Sequence, residues 1–223
     1  MEHIVLNLDQ QNSFEGIKQA IKDKHKFILL HGAAGTGKTT LAKYIADWYE
    51  KTYSNKIIVT APTHQATRIL ADKTGREFKT IQALLGMKPN VDILNFDVNK
   101  PEFAQLAKPY LGKFNLVIID EVSMFNTNLY KVLINSFNKT FTKDNNCLLL
   151  FLGDSNQLPP VNEKTAKVFI DNDVVKFKLT IPQRQNDTNP LMKYLHKLCE
   201  SIEKRKPESF FPIESDLLIN TME

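Results

Sequence analysis

Four short runs are apolar at nearly every position: FILL at 27–30, IIV at 57–59, LVII at 116–119 and LLLFL at 148–152. A strand with one wet face alternates apolar and polar residues. These runs do not, so each must be covered on both faces. Segments with helical spacing lie between them. QNSFEGIKQAIKDK sets Phe14, Ile17, Ala20 and Ile21 on one side, with Asp9 placed to cap its start. TLAKYIADWYEKTY follows the first run, and THQATRILADKTG follows the second and stops at Gly75. TIQALLG reads as a short helix or turn. Apolar runs alternating with helices predict an α/β fold, a central parallel sheet flanked by helices. Residues 86–112 break the rhythm, being long, polar and interrupted by proline. VDILNFDV within them alternates well enough for one arm of a hairpin. The segment is either a surface loop or a small inserted β-hairpin, and insertions of this length are often functional.

Composition narrows the class. In 223 residues, 42% are hydrophobic and 24% charged, which suits a globular chain with one large core. No apolar run approaches the roughly 18–20 residues of a membrane span. The N-terminus lacks the basic start and apolar core of a signal peptide. The expectation is a cytoplasmic protein with no membrane partner. Cys147 and Cys199 do not make a disulfide framework, and Cys147, inside an apolar run, reads as a buried thiol. The net charge of +4 permits an anionic partner without requiring one.

The stretch HGAAGTGKTT, 31–40, carries the chemistry. Gly32, Ala33, Ala34, Gly35, Thr36, Gly37, Lys38 and Thr39 fill G-x-x-x-x-G-K-[ST] at every fixed position, and Thr40 follows. The glycines let several backbone N–H groups face one phosphate chain. The helix starting near Lys38 adds its positive end. Lys38 supplies a mobile charge for the β- and γ-phosphates, and the Thr39 hydroxyl can ligate Mg²⁺.

NLVIIDEVSM ends an apolar strand in Asp120, a carboxylate placed to anchor Mg²⁺. Glu121 can orient and deprotonate a water, which suits hydrolysis. GDSNQLPPV, 153–161, follows another buried strand, so Gln157 can touch both that water and the γ-phosphate. A small-molecule kinase would share the phosphate loop. It would also carry an arginine-rich lid, which is not visible, and it leaves APTHQAT and QLPPV unexplained.

Together GAAGTGKTT, APTHQAT, DEVSM, GDSNQLPPV and LTIPQRQ resemble, in this order, superfamily 1 DNA helicases of the RecD/Dda-like branch. The resemblance covers roughly residues 6–200. It implies a RecA-like P-loop NTPase domain that uses ATP and Mg²⁺, moves 5′→3′ along single-stranded DNA and opens duplex at junctions. It makes Glu121 the base, Lys38 and Thr39 phosphate and Mg²⁺ ligands, and Asp120 a metal ligand. Gln157 couples the γ-phosphate to DNA. Arg184 contacts the γ-phosphate, and Gln10, in LNLDQQNSF, reads the adenine edge. Pro62, Thr63, His64 and Thr80 lie along the DNA backbone. Phe96 is an aromatic of the inserted hairpin that stacks on a base, with a packing role equally open. Gln82 departs from the histidine of many relatives.

The resemblance sets residues 1–205 as lobe 1A, with a 1B subdomain near 86–112 and a linker at 206–223 toward a second lobe. The expectation is the N-terminal half of a helicase, weakly active alone, with replication, recombination or repair proteins as possible partners. The competing reading is a single-lobed module that binds nucleotide or DNA and regulates a partner without unwinding.

Overall fold

The apolar runs are strands, and the computed structural model shows why they lack alternation. It describes residues 6–89, 103–105, 107–141 and 147–183. The elements in order are α1 (Leu8–Lys22), β1 (Phe27–Gly32), α2 (Lys38–Thr52), β2 (Ile57–Ala61), α3 (His64–Thr74), β3 (Glu77–Thr80) and α4 (Ile81–Leu84). There follow β4 (Met87–Pro89), β5 (Phe103–Gln105), β6 (Leu116–Ile119), α5 (Thr127–Thr140), β7 (Leu148–Gly153), α6 (Lys167–Ile170) and β8 (Val175–Leu179). Short 3-10 turns occupy Tyr110–Lys113 and Val122–Met124.

Six strands form one parallel sheet in the order β3-β2-β6-β7-β1-β8. The side chains of the four inner strands divide by position between two cores. Leu29, Ile58, Val117, Ile119, Leu149 and Phe151 face α4, α5 and α6, where Leu84, Leu133, Phe137 and Val168 meet them. Ile28, Leu30, Val59, Ile118, Leu150 and Leu152 face α1, α2 and α3, meeting Ile17, Leu41, Ile45 and Leu70. Both sides of each inner strand are therefore dry, and only an apolar run satisfies both.

The edge strands behave differently. β8, VKFKL, alternates half-buried and exposed positions until Leu179. β3, EFKT, is exposed over Glu77 and Phe78. Being short and charged, both are easily read in the sequence as connections. The helix α3 ends at Gly75, as the sequence indicates, with that residue in the left-handed region at φ 68°.

The start of α1 corrects the sequence reading. Asn7, not Asp9, is the N-cap: its Oδ1 accepts the Gln10 N–H at 2.7 Å, while Gln10 Oε1 accepts the Asn7 N–H at 3.1 Å. The reciprocal pair satisfies two helix-start donors at once. Asp9 lies inside the first turn, which frees its carboxylate for longer-range contacts.

β4 and β5 pair antiparallel, Met87 opposite Gln105, so residues 86–112 contain a two-stranded hairpin. VDILNFDV lies outside the described residues. The chain divides into a unit at Met1–Ile181 and a second at Pro182–Glu223. Beyond Gln183 the second unit lies outside the described residues, as do the expected helix at 190–205, the linker at 206–223 and Cys199. Cys147 is buried, and burial pushes its thiol up to about 12. Among the described residues no helix is long and apolar enough to cross a membrane.

Phe137 is 1% exposed and stacks with Phe27 and Phe141 at ring-centroid distances of 5.1 and 4.9 Å. Phe137→Ala should destabilise the fold by about 3–5 kcal/mol. Urea unfolding checks this; a loss under about 1 kcal/mol would contradict the two-sided core.

Candidate nucleotide site

Parallel strands share one C-terminal edge, so the loops after β1, β2, β6 and β7 gather there. The loop after β1 is the glycine-rich one. A Cβ on Gly32 would collide with the carbonyl oxygen of Leu179 on β8, so only glycine fits. Gly37 sits at φ 86° and forms the N-cap of α2 without any side-chain cap. No N-cap side chain therefore occupies the first N–H groups of this 15-residue helix, whose positive end favours an anion. Thr36 is fully buried and donates from Oγ1 to the Ala33 carbonyl at 2.9 Å, bracing the loop from inside. Lys38 Nζ donates to the carbonyls of Gly32 at 2.6 Å and Ala33 at 3.0 Å, which folds the ammonium over the loop. Thr39 and Thr40 follow in the first turn of α2, and Ala34 and Gly35 form the outer bend of the loop.

Gln10 is 3% exposed and reaches this loop, donating from Nε2 to the Thr36 carbonyl at 3.2 Å. Its side-chain oxygen is engaged by Asn7. Next to it, Asp9 Oδ2 accepts from the N–H of Thr180 at 2.6 Å, the Thr180 hydroxyl at 3.2 Å and the N–H of Ile181 at 3.2 Å. The head of α1 thus holds the phosphate loop with one residue and the end of β8 with the next. Sequence reading assigned neither tie. The N-L-D-Q spacing carries a signal for the cap, but nothing local reveals the reach to Thr180.

Asp120 ends β6, with its N–H donating to Thr60 on β2 at 2.9 Å. Its carboxylate accepts the Glu121 N–H at 2.8 Å. Burial raises Asp120 to about 6, against an ordinary value of 3.8. That hydrogen bond opposes the rise, the charge of Glu121 adds to it, and Lys38 and Lys73 lower it. Glu121 adopts φ 55°, ψ 37°, left-handed for a residue with a side chain. Such a conformation persists only where the surroundings enforce it.

The loop after β7 meets this turn directly. Ser123 Oγ donates to Gln157 Oε1 at 2.7 Å, and Ser123 is 3% exposed. A Cβ on Gly153 would stand 2.8 Å from Val122, so the two loops are in close contact. Asp154, 6% exposed, accepts the Asn156 N–H at 2.9 Å and fixes the bend that presents Gln157. Ser123 is a site residue the sequence does not flag, because its partner lies 34 positions away.

The DNA candidates fall into two groups. Pro62, Thr63 and His64 follow β2 at the same edge, with Thr63 and His64 exposed. Thr63 also caps α3, its Oγ1 accepting the Ala66 N–H. Thr80 is 8% exposed and its hydroxyl caps α4, accepting from Ala83 at 3.3 Å. Phe96 and Arg184 lie outside the described residues.

Comparison with known proteins fits this arrangement. The model of the AAA domain family matches residues 15–163. The ATP-dependent DNA helicase dda of Enterobacteria phage T4 is 35% identical over 182 residues, 79% of this chain and 39% of that protein. The ATP-dependent RecD2 DNA helicase of Deinococcus radiodurans is 33% identical over 174 residues, 78% of this chain and 22% of that protein. The chain therefore spans well under half the length of either relative. Unliganded Pif1 from Bacteroides sp. shares the fold, with a TM-score of 0.58 and 26% identity over 97% of this chain and 48% of that one. The chain belongs to the AAA-domain family, and is a RecA-like motor domain of the superfamily 1, RecD/Dda/Pif1-like helicase kind.

Proposed function

We propose that this chain is the ATP-binding lobe of a DNA helicase that moves 5′→3′ along single-stranded DNA and opens duplex ahead of it. One observation supports the reading most. The Gly32–Thr39 loop, Asp120–Glu121 and Gln157 gather at a single sheet edge, and Ser123 ties the last two together. Two relatives that match 79% and 78% of this chain are named ATP-dependent DNA helicases, which supports it further.

In this reading Lys38 leaves the Gly32 and Ala33 carbonyls and takes the β- and γ-phosphate oxygens. Asp120 and Thr39 would hold Mg²⁺. The donors suit a hard cation, because one carboxylate and one hydroxyl leave coordination places for phosphate oxygens and water. Burial raises the Asp120 carboxyl, and a bound cation would lower it. When bound, the ion withdraws negative charge from the transferred phosphoryl group. Glu121 takes a proton from the attacking water. Gln157 bears on the γ-phosphate from the loop after β7, where Ser123 holds its side chain. Gln10 has one amide N–H spent on Thr36 and one left for an adenine acceptor. Pro62, Thr63 and His64 line the path of the DNA strand, with Thr80 beside them. Residues 86–112 act as the inserted subdomain of a lobe that extends to about 205.

Glu121→Gln should keep nucleotide affinity and lower ATP turnover in the presence of single-stranded DNA by about 10²–10⁴-fold. Unchanged turnover in steady-state assays would remove Glu121 from the mechanism.

Asp120 gives a second test, in stability. Its folded value is raised, so the native state holds that proton more tightly than the unfolded chain does. The favourable contribution is complete below about pH 4 and is lost as pH rises through about 6. Asp120→Asn should therefore stabilise the protein at pH 7 by on the order of 1–3 kcal/mol, with the difference vanishing near pH 4. Urea unfolding at the two pH values reads it; a variant less stable at pH 7 would contradict the burial argument.

A further inference from the structure

At the opposite end of the sheet from the phosphate loop, a cleft of about 520 Å³ opens by the starts of β2 and β3. Lys56, Arg76, Glu77, Tyr110, Lys113 and Phe114 line it. Tyr110 is 43% exposed. Two ammonium groups share its ring: Lys113 Nζ stands 4.2 Å from the centroid and Lys79 Nζ 5.0 Å. Each contact is attractive, but two like charges on one ring repel. Neither lysine has a carboxylate partner among the described residues. Arg76 does, donating to Asp47 at 2.6 Å and Glu50 at 2.7 Å. Its Nε remains a buried donor without a partner among the described residues. Lys56, Arg76 and Lys113 of the lining face one acidic side chain there, Glu77, and Lys79 adds its charge at the Tyr110 ring.

An anion between Lys79 and Lys113 would relieve their repulsion, and the exposed ring beside them offers a face to a planar group. A polyanion carrying planar groups is a nucleic acid, and an unpaired base is needed to reach the ring. The location fits as well. The Tyr110–Lys113 turn closes the 86–112 insertion, whose legs are pinned where the Ala107 N–H donates to the Gly86 carbonyl at 3.2 Å.

We infer that Tyr110, Lys79 and Lys113 form a second single-strand contact at the base of the insertion, with a base on Tyr110 and a backbone phosphate between the lysines. It adds Tyr110, Lys79 and Lys113 to the strand contacts proposed at Pro62–His64 and Thr80. The inference rests on the reading of nucleic acid as the partner.

Fluorescence titration of a labelled single-stranded oligonucleotide tests it, with the same sequence as duplex in a parallel arm. Tyr110→Ala should weaken single-strand binding about 5–30-fold, and Tyr110→Phe should restore it. Lys79→Ala with Lys113→Ala should reduce the slope of log affinity against log salt by about 0.7, one phosphate contact on a single strand. Nucleotide affinity, read with a fluorescent ATP analogue, should stay unchanged in every variant. If the variants bind single strand as the parent does, with the same salt slope, the second contact is overturned while the helicase reading stands. A loss confined to duplex would also overturn it, since it rests on an unpaired base. If the parent chain binds nucleotide but no single strand, the reading beneath it fails.

Discussion

A parallel sheet buried on both faces has one place for polar chemistry, the ends of its strands. In this protein Leu116, Val117, Ile118 and Ile119 are fully buried, and the next residue is Asp120. The carboxylate therefore sits where the dry core stops. Its raised proton affinity follows from that position, because burial is the largest cause of the rise. The same core that holds the fold together makes Asp120 costly to leave charged, a cost that a cation beside it would offset. Stability and chemistry are joined at this residue, with stability yielding at neutral pH.

The loops at that edge come from distant parts of the chain, and a few side-chain bonds hold them in register. Gln10 reaches Thr36, Asp9 reaches Thr180 and Ile181, and Ser123 reaches Gln157. A neutral bond of this kind contributes about 0.5–1.5 kcal/mol, and one to a carboxylate more. None is strong enough to lock its loop. Such bonds set the geometry of the edge and can be exchanged for others at modest cost. Lys38 fits the same pattern, resting on two carbonyls of its own loop.

Much of this could be read from the sequence, and the failures have physical causes. The inner strands were visible because two-sided burial leaves an unmistakable run. The phosphate loop was visible because close approach and left-handed backbone demand glycine at fixed places. β3 and β8 were not, since an edge strand with exposed charges lacks that run, and α5 was passed over as well. The cap of α1 was misplaced by two residues because Asn7 and Asp9 are both good caps. The Asn7–Gln10 reciprocity, legible as a spacing, decides between them. Ser123 and the Tyr110 lysines were out of reach, because only folding brings Ser123 to Gln157 or Lys79 to Tyr110.

In the proposed reading the Gly32–Thr39 loop holds the phosphates of ATP, with Lys38 as its charged arm. The most direct measurement is the equilibrium affinity for a Mg²⁺-complexed fluorescent ATP analogue in the parent chain and in Lys38→Ala. The account predicts affinity lower by about 10–100-fold in the variant, with unfolding unchanged, as expected for losing a charge-assisted contact to phosphate. Equal affinity in the two proteins would contradict it and place the nucleotide, if bound, elsewhere.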